Sequence, residues 1–180
     1  MSARLRLGRQ LDAGPGSHVH AVDGNRVLKL FHPGVPVAAV QQEFGNQVRA
    51  VGMGLPVPEA LSVLRFQDRY GFLMQAVDGG NLLHRLRDPA SVAPAGRLLA
   101  DIQQGINACP GVGFPSYRQM LSGMLARCRQ ENPLAAEQLD ARFERLAEGD
   151  RLCHGDLHPG NVLVSGAEHW VLDWCDARRG

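Results

Sequence analysis

The chain has 180 residues, 44% of them hydrophobic and 21% charged, a balance that excludes disorder, fibres and coiled coils. At this length roughly 70% of the unfolded chain's surface can be buried, enough for one globular unit or two small lobes sharing a cleft. Nineteen basic residues against eighteen acidic ones give a net charge of +1, so there is no electrostatic case for a nucleic-acid or acidic-membrane partner.

At the N-terminus, Arg4, Arg6, Arg9 and Asp12 interrupt the chain before a signal-peptide core can form, and no later apolar run approaches the ~18 residues of a membrane-spanning helix. The chain therefore reads as cytoplasmic. Arg4 to Leu11 alternates apolar and polar residues, the turn Ala13-Gly14-Pro15-Gly16-Ser17 breaks the pattern, and Val19 to Val22 resumes it. After the hairpin signal Asp23-Gly24-Asn25, Val27 to Phe31 reads as a third strand. From Val37 to Met53 the spacing of Val37, Val40, Phe44, Val48 and Val51 predicts one buried helical face behind Pro36. Two strands follow at 60–65 and 71–75, then a hinge at Val77-Asp78-Gly79-Gly80.

Beyond residue 80 the pattern turns helical. Apolar stripes over 96–108, 117–130 and 134–147 predict three helices whose stripes belong to the core. Short strands are expected at 151–153, 162–164 and 170–173. The expected architecture is α+β, a sheet-rich lobe over 1–76 joined by a hinge to a mainly helical lobe over 77–180. Cys109, Cys128, Cys153 and Cys175 contain no CxxC pair, so they read as packing residues and not as a disulfide or zinc framework. His18 and His20 alternate on one strand but lack a third ligand.

The chemistry concentrates in His154-Gly155-Asp156-Leu157-His158-Pro159-Gly160-Asn161 and in Val171-Leu172-Asp173-Trp174. A hairpin between them would fold Asp173 back beside Asp156 and Asn161, converging two carboxylates and an amide oxygen. Phosphoryl transfer requires such a set: one carboxylate to orient and deprotonate the attacking hydroxyl, and hard oxygen ligands to hold Mg²⁺ on a triphosphate. Asp156 reads as the base and Asn161 and Asp173 as metal ligands. His154 reads as a buttress of the loop, while His158 is open between touching the transferred phosphate and packing. Across the cleft, Lys29 can reach phosphates, Glu43 can hold its ammonium, and the Gly14-Pro15-Gly16-Ser17 turn lets backbone approach them. Of the nineteen basic residues only Lys29 is a lysine, the choice where a compact ammonium is needed.

CHGDLHPGNVLV with VLDWCDA resembles the aminoglycoside phosphotransferase and choline kinase group, relatives of the protein kinases. The resemblance extends through LKLF, Glu43, GLPVPEAL and MQAVDGGNLL, nearly the whole chain. It implies a two-lobed protein-kinase-like fold: an N-terminal antiparallel sheet with one helix, and a mainly helical C-terminal lobe. It also implies ATP and Mg²⁺ dependence, transfer of the terminal phosphate to a small-molecule hydroxyl, and adenine lying against Gln75 to Val77.

Two departures stand out. Relatives often carry a histidine near Asn107, and they continue past the DW segment into further helices that complete the acceptor pocket, where this sequence ends at Gly180. Apolar stripes left without those helices predict self-association or a partner at the helical lobe. Residues 110–150 hold six acids against five arginines, which argues against a polycationic aminoglycoside as acceptor. Two other readings compete with the small-molecule kinase: a minimal bacterial protein kinase, and a truncated, non-catalytic nucleotide-binding module.

Overall fold

Residues 5–180 are described in the computed structural model of the chain; Arg4, the expected start of the first strand, lies outside them. Five antiparallel strands form the N-terminal sheet in the order β1-β2-β3-β5-β4: β1 (Gln10–Ala13), β2 (Ser17–Asp23), β3 (Arg26–Phe31), β4 (Ala60–Phe66) and β5 (Arg69–Gln75). The first strand begins later than the alternation suggests. Residues 5–9 instead run irregularly beside β2, with the Gly8 amide donating to the Ala21 carbonyl, and Leu5 and Leu7 pack on the cluster of Leu28, Leu30 and Leu73.

Alternation along β3 sorts its side chains to two faces. Leu28 and Leu30 point to that outer cluster, while Val27 and Phe31 join Phe72, Met74 and Val40 on the opposite face. Lys29 shares the second face, where the helix α1 (Val37–Gly52) packs. The stripe expected to be buried on α1 holds in part: Val40 is buried and Phe44 and Val51 pack partly against the core, but Val48 is 44% exposed, and Glu43, Asn46, Gln47 and Ala50 also face inward. Burial of the polar residues is tolerable because Glu43, Asn46 and Gln47 each find a polar partner inside.

The C-terminal lobe comprises β6 (Gly80–Asn81), α2 (Leu82–Arg85), α3 (Val92–Ala108), α4 (Tyr117–Glu131), α5 (Pro133–Glu144), β7 (Leu152–Cys153), β8 (Val162–Ser165), β9 (Glu168–Val171) and β10 (Arg178–Arg179). β6, β8 and β9 form one small sheet, β7 and β10 another. The core gathers Ile102 and Ile106 of α3, Leu152, Val162, Val171 and Trp174. α3 begins four residues before the expected start, and β6 and β10 carry no pattern of their own because two residues are too few to show one.

The stripes of α4 and α5 do not enter that core. Only Leu125 and Ala136 are buried on the two helices, whereas Leu134 is 76% exposed, and Met124, Leu139 and Leu146 are also exposed. The two helices pair as a hairpin, so periodicity correctly gave the helices but not their burial. Among the described residues, no helix is long and apolar enough to cross a membrane.

Candidate active site

Lys29 is the meeting point of three segments distant in sequence. Its Nζ lies 2.5 Å from Glu43 Oε1 on α1 and 3.1 Å from Asp173 Oδ1 in the C-terminal lobe. Burial works against the ammonium, but the two carboxylates outweigh it and hold the lysine pKa above its ordinary value. Burial pushes the Glu43 carboxyl up, with Lys29 opposing. Asp173 is also partly buried, yet Lys29 and the neighbouring Cys175 thiol hold its carboxyl below the usual range, so it is ionised at neutral pH.

Asp173 does not extend a strand, as 170–173 was expected to. β9 ends at Val171, and Asp173 takes a left-handed φ of 63°, a region that non-glycine residues seldom occupy. The turn directs its carboxylate back toward Lys29. The β8–β9 hairpin does return this segment to the 154–161 loop, for the Leu172 amide donates to the Asn161 carbonyl at 2.8 Å.

Within the loop, Asn161 Nδ2 donates to the Asp156 carbonyl at 2.9 Å and lies 3.4 Å from Asp156 Oδ2. That use of the nitrogen leaves the Asn161 Oδ1 available as a hard ligand. The Asp156 side chain is about half exposed. His158 caps the short turn Pro159–Asn161: its Nδ1 accepts from the Gly160 amide at 3.0 Å, which places the proton on Nε2, 3.7 Å from Asp156 Oδ2.

His154 is buried and links the two halves of the site. Its Nδ1 accepts from the Asp156 amide at 3.3 Å and its Nε2 faces the Leu172 carbonyl at 3.0 Å, so the Nε2–H tautomer serves both. Burial holds its pKa below the ordinary value and keeps it neutral, against the Trp174 ring at 4.8 Å. Gly155 between them has φ of 88°, and a Cβ there would meet the Asp176 carbonyl and the Tyr117 hydroxyl. The loop depends on glycine at that point.

At the turn before β2, the Gly14 amide donates to the Ser17 carbonyl at 2.9 Å and the Gly16 carbonyl accepts from the His32 amide at 2.9 Å. Ser17 itself is buried in β2. No protein atom lies within 4 Å of a Cβ built on Gly16, so the surrounding chain does not demand glycine there. Gln75 ends β5 with its Oε1 accepting from the Glu59 amide at 3.3 Å, and Val77 follows in the connection to β6.

Three contributors escaped the sequence reading. Asn81 donates to the Gly160 carbonyl at 2.7 Å and caps α2 by accepting from the Leu83 amide, so it ties the start of α2 to the 154–161 loop. An Asn ahead of Leu-Leu is a capping signal that could have found it. Asn46 reaches the segment after Asp173 from α1, and Cys175 groups with Glu43 and Asp173, their ligand atoms within 4.8 Å of one another. The four cysteines are half-buried free thiols, in keeping with packing residues. His18 lies against His32 and His20, at ring-centroid distances of 4.7 and 6.2 Å.

A family model described as the phosphotransferase enzyme family matches residues 13–180. No curated protein matches the chain. Among solved structures, a thermostable mutant of aminoglycoside phosphotransferase APH(4)-Ia is similar over 99% of this chain and 69% of its own, with 19% identity and a TM-score of 0.70. An aminoglycoside-3'-phosphotransferase of type VIII is similar over 98% and 72%, with 21% identity and a TM-score of 0.66. APH(3'')-Id from Streptomyces rimosus, in complex with ADP and streptomycin, is similar over 90% and 69%, with 21% identity and a TM-score of 0.65.

Proposed function

The chain belongs to the phosphotransferase enzyme family, and on that premise we propose that it transfers the terminal phosphate of ATP to the hydroxyl of a small molecule. The observation that carries this reading is the single ammonium, Lys29, bridging Glu43 of the sheet-bearing lobe and Asp173 of the other. Such a bridge fixes one cation between the two lobes, where a triphosphate would meet it, and leaves the Asp173 carboxylate charged.

The residues fit a hard divalent cation. Asp173 is ionised, and Asn161 has an unengaged amide oxygen one backbone hydrogen bond away from the Asp173 segment. Asp173 and Asn161 would hold Mg²⁺, which when bound neutralises charge on the phosphates. Lys29 anchors the phosphates as a point charge and Glu43 keeps it aimed. The Gly14, Gly16 and Ser17 turn lies over them; because the protein itself makes no demand for glycine at 16, close approach of a ligand supports its presence. Gln75 and Val77 line the adenine side of the hinge, at the join we place between a nucleotide lobe over 1–76 and a helical lobe over 77–180.

Asp156 accepts the proton of the acceptor hydroxyl as its oxygen bonds to the terminal phosphorus and the bond to the bridging oxygen of ADP breaks. Asn161 holds the Asp156 carboxylate in register, His158 caps the turn that carries Asn161, and neutral His154 fixes the loop on which Asp156 sits. The near balance of acids and arginines over 110–150 supports an acceptor that is not a polycation.

Calorimetric titration of ATP with and without Mg²⁺ tests the site. Magnesium should tighten binding to the wild type and leave Asp173→Ala unaffected. A variant that keeps the wild-type magnesium dependence would overturn the metal assignment.

A further inference from the structure

The inward face of α1 is polar, and two of its three polar residues have evident tasks. Glu43 holds Lys29, and Gln47 Nε2 donates to the Pro58 carbonyl at 2.8 Å, fastening the helix to the sheet side. Asn46 does neither. It is fully buried, and its Nδ2 donates to the carbonyls of Trp174 at 3.0 Å and Ala177 at 3.3 Å. Both neighbours are acceptors, which fixes the amide with its nitrogen toward them and leaves Oδ1 without a partner among the described residues. A residue present only to fill space would be apolar, and would not strand a buried acceptor.

The segment it grips begins directly after Asp173, whose left-handed backbone persists only if its surroundings hold it. On one side, the Leu172 amide is tied to Asn161; on the other, the Trp174 carbonyl is tied to Asn46. One helical turn separates Asn46 from Glu43, so the same helix grips Lys29 and the chain that carries Asp173. We infer that Asn46 is a positioning residue, an amide clamp that holds the metal-binding carboxylate in one geometry relative to the Lys29–Glu43 pair.

This rests on the phosphotransferase reading for its consequence, though not for its geometry. Asn46→Leu keeps the branched four-atom shape and removes the donor. Its ATP binding should need ~10–100-fold more Mg²⁺ for half-maximal effect, as expected when a support of a metal ligand is removed, with magnesium-free binding unchanged. Saturating magnesium should bring its turnover back toward wild type. A residue that merely supports the fold would lower the melting temperature and leave the magnesium midpoint in place, and a folded Asn46→Leu protein with the wild-type midpoint overturns the clamp.

If that variant does not fold, amide hydrogen exchange on the wild type decides. Residues 43–50 and 174–177 should open at one common rate, and independent rates overturn the inference. A wild type that binds no nucleotide would refute the phosphotransferase reading, while the exchange experiment, run without nucleotide, still judges Asn46.

Discussion

Replacing Lys29 with Met deletes the ammonium, retains the apolar stem and strands Glu43, which is 2% exposed and 2.5 Å from its partner. Removing one member of a buried pair costs about 3–5 kcal/mol. Two features of the site place this case at the lower end. The Glu43 carboxyl, already pushed up by burial, can take up a proton, and Asp173 is 39% exposed, so its lost contact is screened by water. A loss of about 3 kcal/mol in a chain of this length corresponds to a fall of ~6–12 °C in Tm. Adding Glu43→Leu removes the stranded carboxylate and should recover most of the loss, because apolar groups replace buried pairs at little net cost. ATP affinity should not recover, since the cation is still absent. Thermal melts of the single and double variants, paired with ATP titrations, make the measurement. A Lys29→Met protein that melts like the wild type, or a double variant that regains nucleotide binding, would refute the reasoning.

Lys29→Arg keeps the charge but substitutes a planar fork, and activity should fall at least ~tenfold, or about 1.4 kcal/mol of barrier, in a protein that remains folded, as steady-state kinetics would show. His154 has its folded pKa below the ordinary 6.5, so the unfolded state binds more protons and stability is lost as pH falls below 6.5 through the folded value. The Tm of His154→Gln should therefore change less than that of the wild type between about pH 7 and about pH 5. Gly155→Ala forces a side chain into a left-handed conformation and against the Asp176 carbonyl, and should cost at least about 1–2 kcal/mol in denaturant unfolding.

The fold was legible because it rests on strong local signals, and so were the positions of the candidate site residues on it. Alternation set β3 and thereby the face of Lys29, and the hairpin after Asn161 brought the Leu172 amide, next to Asp173, onto the Asn161 carbonyl. What escaped depended on tertiary partners. The inward placing of Glu43, Asn46 and Gln47 is not readable from apolar periodicity, and becomes favourable only once Lys29 supplies an ammonium to Glu43 and Trp174, Ala177 and Pro58 supply carbonyls to the two amides. The exposure of Leu134 and Leu139 could not be read from their spacing, since an apolar stripe specifies a face and not whether anything covers it. The end of β9 was invisible because the φ of Asp173 answers to Lys29 and the Trp174 carbonyl contact, not to its own β-like neighbours.

The central claim is that Asp156 promotes transfer of the terminal phosphate of ATP to a small-molecule hydroxyl. Incubation with ATP labelled in that phosphate, across a panel of neutral hydroxylated metabolites, tests it when wild type and Asp156→Asn are compared. The account predicts label on a small molecule with the wild type and a loss of ~10²–10⁴ in turnover with the variant, at nearly unchanged ATP affinity. Equal transfer by both proteins, or label confined to protein, would contradict it.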